Sequence, residues 1–268
     1  MLTARQQHCL QGIGVRLWRD RSASEAPPLT ASATEPVFAE TPDSRVTAAA
    51  MAPVQEYERA PPPIPAAVPN ETPAPVARRE IDIAKLDNWD AINAAIQQCD
   101  ACELSQSCTQ KVPGVGNREA NLLIVGEGPG HDEDIRGEPF IGRSGQLLDR
   151  MLQAIGIARE EVFITNIVKC RPPNNRDPKA DEAQQCRAYL DAQIKQIAPR
   201  VILSVGRVSA HNLLGSNLPV GKLIQQMHQL PGTDIPVKVT YHPAYLLRSP
   251  AAKAIAWQDM KLLHRMLQ

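Results

Sequence analysis

Residues 80–268 are predicted to fold as a three-layer α/β/α domain around a mainly parallel, four-stranded sheet. Two observations carry that expectation. Short continuous apolar runs alternate along the chain with longer segments of helical period, the pattern of repeated βαβ units. The runs also lack polar alternation, as strands covered on both faces do.

The elements follow in order. A helix over Asp90–Gln98 delivers Cys99 and Cys102. A strand at Asn121–Gly126 leads to a helix at Ser144–Ile155, where Leu147, Leu148, Met151, Leu152 and Ile155 share one face. A strand at Val162–Asn166 precedes a helix over Pro178–Ile197, with Asp177 as its expected N-cap and Pro178 at its first position. Strand Val201–Val205, helix Ser209–Leu214, strand Val237–Tyr241 and helix Ala251–Leu267 complete the series.

The chain has 268 residues and zero formal net charge, room for one such domain plus further material. Half of the 24 prolines lie between Pro27 and Pro75, among Ala, Thr, Ser and Glu. Residues 23–79 are therefore expected to be a disordered linker, too poor in periodic apolar residues to offset its ordering entropy. Residues 1–22 differ from it. Leu10, Ile13, Leu17 and Trp18 recur at helical spacing and Thr3 and Gln6 have capping-box spacing, which suits a short amphipathic partner-binding segment. No apolar run is long enough to span a membrane and no signal-peptide h-region is present, so the expectation is a cytoplasmic protein without a membrane partner. With no strong global field, any nucleic acid would have to meet a local basic patch.

Six cysteines in such a chain favour metal ligation over disulfides. Cys99 and Cys102 form a C-x2-C pair, Cys170 follows a predicted strand, and fifteen residues separate it from Cys186. Four thiolates suit an iron–sulfur cluster or a zinc ion, and the spacing leaves both open. Cys9 and Cys108 are left over, and Cys108 reads as an ordinary small apolar residue.

Ligands of parallel sheets bind beyond the carboxyl ends of the strands. Three such ends carry chemistry: Gly126-Glu127-Gly128-Pro129-Gly130, Asn166, and His242-Pro243-Ala244-Tyr245. A dinucleotide fingerprint fails here. Its third glycine would fall at His131, Pro129 obstructs the helix start, and four acids crowd the place of a pyrophosphate.

The ordered segments C-x2-C, G-E-G-P-G-x-x-E-D, G-x-P-F-x-G, T-N-I-V-K-C-R-P-P-x-N-R, C and H-P-A-Y-L-L-R span Cys99 to the C-terminus. Together they resemble the family 4 uracil-DNA glycosylases, the iron–sulfur type. The resemblance implies a uracil-DNA glycosylase-like fold, a [4Fe-4S] cluster on Cys99, Cys102, Cys170 and Cys186, and hydrolysis of the N-glycosidic bond of uracil in DNA after base flipping. It further implies that Phe140 stacks on the base, Asn166 reads its edge, and Glu133 occupies the space a thymine methyl would need. His242, with an N–H from the Gly128 region, would stabilise the leaving anion, and Glu127 would act on the sugar side. Lys169, Arg171, Arg176, Arg248 and the helix start at Ser144 would meet phosphate, and Leu246 or Leu247 could wedge into the stack. Cys108 stands where such sequences often carry arginine, and the Arg-Arg-x-His insertion of the covalent uracil-trapping relatives is lacking. Such an enzyme would act as a nucleoid-associated monomer. The opening residues, from Leu2-Thr3 to Leu17-Trp18, are similar to the N-terminal peptide of the replicase psi subunit, which docks on chi. This frames the alternative: a replisome accessory, on the clamp loader through chi, built on a catalytically weak glycosylase fold.

Overall fold

The structure is a computed structural model that describes residues 85–268. The segment 1–22, the linker 23–79 and Cys9 lie outside the described residues.

In chain order the elements are α1 (Trp89–Gln97), α2 (Leu104–Ser107), β1 (Val115–Gly116), β2 (Leu122–Gly126), α3 (His131–Arg136), α4 (Arg143–Ala154), β3 (Phe163–Asn166), α5 (Ala180–Ile197), β4 (Val201–Val205), α6 (Arg207–Leu214), α7 (Val220–Leu223), β5 (Met227–Gln229), β6 (Pro236–Thr240), α8 (Pro243–Arg248) and α9 (Lys253–Leu267). The sheet runs β1-β3-β2-β4-β6-β5. Its four central strands are parallel and are the four that the apolar runs predict. Two short edge strands, β1 and β5, pair antiparallel and make the sheet six-stranded. Neither has an apolar run: β1 is two residues long, and β5 is Met-His-Gln with both faces partly exposed. Edge strands need no burial on two sides, so the pattern that finds central strands passes over them.

Alternation along β2 builds the layers. Leu123 and Val125 pack with Ile92 and Ile96 of α1 and Leu190 and Ile194 of α5. Leu122 and Ile124 face the other way, onto Leu148 and Leu152 of α4 and Met260 and Leu263 of α9. A buried ion pair, Lys238 to Asp259 at 2.8 Å, ties α9 to β6, and Thr240 donates to the second oxygen of Asp259 at 2.8 Å.

Three predicted helix starts move by two residues, Ser209 to Arg207, Ala251 to Lys253 and Pro178 to Ala180, and the last bears on the site. Helix α5 begins at Ala180, not at Pro178, and Asp177 is not its cap. Glu182 accepts from the Lys179 amide at 2.7 Å and takes the capping role instead. Asp177 is drawn outward to the edge of the sheet, where Arg207 holds it.

Candidate active site

Parallel register brings the carboxyl ends of the strands to one edge. Gly126 lies opposite Asn166, and Val205 opposite Thr240. Beyond that edge opens a cleft of about 810 Å³, which takes in Glu127, Gly128, Glu133, Phe140, Asn166 and His242.

Its floor is built by close approach. A Cβ on Gly126 would lie 2.4 Å from Asn166 Oδ1 and 2.5 Å from Phe140 Cε2, so only glycine fits between them. Phe140 is buried and held at φ 54°, a region a bulky residue seldom occupies. The loop around it is fixed from two sides. Arg159 donates to the Pro139 carbonyl at 2.6 Å, and a Cβ on Gly145 would meet the Phe140 carbonyl oxygen at 1.7 Å. The Phe140 ring lies 5.7 Å from the His242 ring at 32°. Asn166 is 1 % exposed, and its Oδ1 is a buried acceptor without a hydrogen-bond donor among the described residues.

The walls are charged or titratable. Glu133 is nearly buried and accepts three main-chain N–H bonds, from Gly130 at 3.1 Å, Ile141 at 3.1 Å and Gly142 at 3.2 Å. These tie α3 to the Phe140 loop and leave the carboxylate no freedom to swing. His242 caps α8 by accepting the Ala244 N–H on Nδ1 at 3.2 Å. Burial, and then the charge of Arg248, push its pKa down to about 4. The imidazole is therefore neutral near pH 7, with its one proton on Nε2. Glu127 behaves in the opposite way. Burial, followed by the charge and hydrogen bond of Asp177, pushes it up to about 7 against the pull of Arg207.

The basic residues divide. Ser144 and Arg248 line the cleft. Arg171 stands beside it, donating to Asn175 Oδ1 at 2.7 Å and lying 3.1 Å from His131 Nδ1. Arg176 reaches the cleft, but its guanidinium is engaged two-fold by Glu182 at 2.6 and 2.8 Å. Lys169 is a correction. Expected to meet phosphate, it is 1 % exposed and donates inward to Thr165 Oγ1, the Asn166 carbonyl and Gln193 Oε1 at 2.6, 2.9 and 2.8 Å. A side chain so enclosed cannot touch a backbone in solvent. Of the two candidate wedges, Leu246 is core and Leu247 is 38 % exposed.

The cleft also contains residues to which the sequence reading assigns no part in the site: Asp177, expected only as a helix cap, with Arg207, Tyr241 and Tyr245. Arg207 was findable, because it follows strand Val201–Val205 directly and the strand-end rule applies to β4 as well. The two tyrosines pack with ring centroids 5.0 Å apart.

Behind the floor the cysteines gather. Cys170 and Cys186 are buried in the same apolar cluster against which Cys99, Cys102 and Cys108 pack. Cys186 feels Cys102 and Cys99, and Cys170 feels Cys186 and Cys102. Burial pushes the thiols of Cys102, Cys170 and Cys186 up. Main-chain N–H groups point at the sulfurs, Lys169 at Cys186 at 3.4 Å and Leu104 and Ser105 at Cys102. Among the described residues no three His, Cys, Asp or Glu side chains are drawn into a ready-made ion site. The convergence is one of thiols, not of a closed coordination shell. Its donor chemistry fits a metal–sulfur group, since N–H donors stabilise bound thiolates. Cys108, expected as an ordinary small apolar residue, packs against the same apolar cluster and is also hydrogen-bonded to Cys170.

A family model described as the uracil DNA glycosylase superfamily matches residues 113–261. A type-4 uracil-DNA glycosylase of Archaeoglobus fulgidus is 41% identical over 182 residues, 66% of this chain and 92% of that one. Its counterpart in Saccharolobus solfataricus is 42% identical over 183 residues, covering 66% and 85%. That of Thermotoga maritima is 41% identical over 162 residues, covering 60% and 83%.

Proposed function

The chain belongs to the uracil DNA glycosylase superfamily, among its type-4 uracil-DNA glycosylases, and from that premise we propose which of its residues carry the reaction. It is a DNA repair enzyme that removes uracil from DNA. The observation that carries the assignment is the unpartnered Oδ1 of Asn166 at the cleft floor. A buried acceptor without a donor costs about 1–3 kcal/mol. Uracil offers N3–H to it, whereas cytosine has no proton on N3 and presents the reverse pattern.

In this reading a flipped uracil enters over Phe140 with its edge against Asn166. Glu133, pinned by three amides, is a rigid wall beside C5 and leaves no room for the methyl group of thymine. As the C1′–N1 bond breaks, the base leaves with the bonding pair and its charge spreads to O2. His242 donates Nε2–H there, with a main-chain N–H of the Gly128 region beside it. Neutral imidazole suits this role because its proton position is fixed before the charge develops. Water attacks C1′ and gives its proton to the Glu127 carboxylate, a base matched to neutral pH. Ser144, Arg171 and Arg248 meet the phosphates. Arg176 serves chiefly as a clamp on α5.

The metal group we assign to Cys99, Cys102, Cys170 and Cys186 is a [4Fe-4S] cluster. When bound it crosslinks the chain after α1, the loop after β3, and α5. Stoichiometric zinc without iron, or no visible iron–sulfur absorbance, would overturn it.

Among the described residues no helix is long and apolar enough to cross a membrane. We assign the enzyme to the cytoplasm, with the nucleoid that carries its DNA substrate, and expect a monomer. We assign residues 1–22 to partner docking and 23–79 to a linker ahead of the catalytic domain. Failure of residues 1–24 to capture chi would remove a clamp-loader partner. The accessory-only alternative has no observation in its favour.

The test is single-turnover excision from a uracil-containing oligonucleotide. His242→Ala should be slower by about 100–1,000-fold, the loss of one preorganised donor. No excision by cluster-loaded wild type would refute the assignment.

A further inference from the structure

We propose that Asp177 is a positioning residue for Glu127 and that Arg207 holds it for that task, the two carboxyl groups sharing one proton at the wall of the cleft. The inference rests on the reading of Glu127 as acceptor of the water proton.

The three residues come from separate segments. Glu127 follows β2, Asp177 lies in the loop between β3 and α5, and Arg207 opens α6 after β4. All three line the cleft. The side chains of Glu127 and Asp177 are hydrogen-bonded to each other. An ionised carboxylate only accepts, so a bond between two carboxyl groups requires that one of them carry a proton. Arg207 decides which one. Its guanidinium is ion-paired with Asp177 Oδ2, which leaves the shared proton to Glu127.

Other charged groups around the cleft are already engaged or lie elsewhere in it. Glu133 is bound by amides, and Arg176 is paired with Glu182. His242 is neutral near pH 7, and the charge of Arg248 acts on His242. Asp177 and Arg207 are the groups whose charge reaches Glu127. The consequence is a base whose proton leaves near neutrality, where a general base is most useful. The titration belongs to the pair and not to either residue alone. It also explains why Asp177 does not cap α5: its carboxylate is occupied with Glu127 and Arg207 on the cleft side.

Opposite shifts distinguish this device from a structural contact. Asp177→Asn keeps a hydrogen-bonding amide but removes the like charge. The acid limb of the excision rate should then move down by roughly one pH unit. On that limb the rate, relative to its own plateau, should rise by roughly tenfold. Arg207→Gln removes the opposing cation, and the limb should move up.

The experiment is single-turnover excision by the cluster-loaded full chain between about pH 5 and about pH 9. It compares wild type, Asp177→Asn, Arg207→Gln and Glu127→Gln. If Glu127→Gln retains both the wild-type rate and the limb, the underlying role of Glu127 fails. If Glu127→Gln is impaired while the other two variants leave the limb where it was, the role of Asp177 is refuted. Titration of the ¹³C-labelled Glu127 carboxyl reads the same shift without turnover. An inactive Asp177→Asn variant therefore still decides the question, and an unmoved carboxyl titration overturns the proposal.

Discussion

Lys169 Nζ donates to the main-chain carbonyl of Asn166 at 2.9 Å, three residues back along the same chain. The same nitrogen reaches Thr165 Oγ1 and Gln193 Oε1, and the Lys169 amide points at Cys186. The residue that reads the base is thus braced from below by the segment that enters the cysteine cluster. Lys169→Met fills similar space but removes three buried hydrogen bonds and leaves the Asn166 carbonyl without this donor, while Gln193 Oε1 keeps Thr165. It should lower stability by about 3 kcal/mol and weaken inhibition by free uracil more than general DNA binding. Thermal unfolding and uracil inhibition measure the two. A variant with wild-type stability and uracil affinity would remove Lys169 from this role.

Gly126→Ala tests the floor. The added methyl would meet Asn166 Oδ1 and the Phe140 ring, both well inside contact distance. Neither can retreat, because Phe140 is braced by Arg159 through Pro139 and Asn166 by Lys169. Excision should fall by at least 100-fold, since a displacement of about 1 Å at a reacting centre costs that much. Affinity for undamaged DNA, set by phosphate contacts outside the floor, should stay within about threefold. Binding and single-turnover rates on one preparation separate the two effects.

His242 links the site to acid stability. Its imidazole titrates near its usual value of 6.5 when unfolded and at about 4 when folded. Between these values the unfolded chain binds more protons. Stability therefore falls as pH drops from about 6.5 towards about 4 and is unaffected above 6.5. Between pH 6.5 and pH 5 the loss is roughly 1–2 kcal/mol. His242→Asn lacks this proton uptake and should lose less stability than wild type over that range. Parallel slopes in denaturant titrations of both proteins would contradict it.

The sequence makes the central sheet legible because β2, β3, β4 and β6 are buried on both faces, and continuous burial leaves a continuous apolar run. It makes the strand-end residues legible because parallel strands end on one side. It does not reveal which way Lys169 turns, since a lysine after a strand reads alike whether it faces phosphate or Gln193. Nor does it separate Asp177 as a helix cap from Asp177 as a partner of Glu127. Asp-Pro is a good helix start locally, and only the arrival of Arg207, 30 residues later, outweighs it. Charge pairing across segments has no local signature, and for that reason the Asp177 arrangement appears only in three dimensions.

The cysteine cluster sets the last expectation. Cys170 lies four residues beyond Asn166, and Cys186 sits on α5 beneath the same loop. A bound cluster closes loops of chain that are otherwise held by packing, and ligand binding adds stability only to the folded state. Removing the metal leaves buried thiols that must be protonated, as their raised pKa values require. Nothing then crosslinks the loop after β3 to α5. With about 4 kcal/mol from the bound group, the metal-depleted domain should unfold roughly 8–16 °C lower. Cys186→Ala should reproduce that loss and retain less iron. The loop that carries Arg171, Arg176 and Asp177 should become the first site of proteolytic cleavage in the depleted protein. Iron content, thermal unfolding and the mapped cleavage site test the three consequences together. Equal unfolding temperatures for loaded and depleted protein would show that the cluster does not clamp this loop.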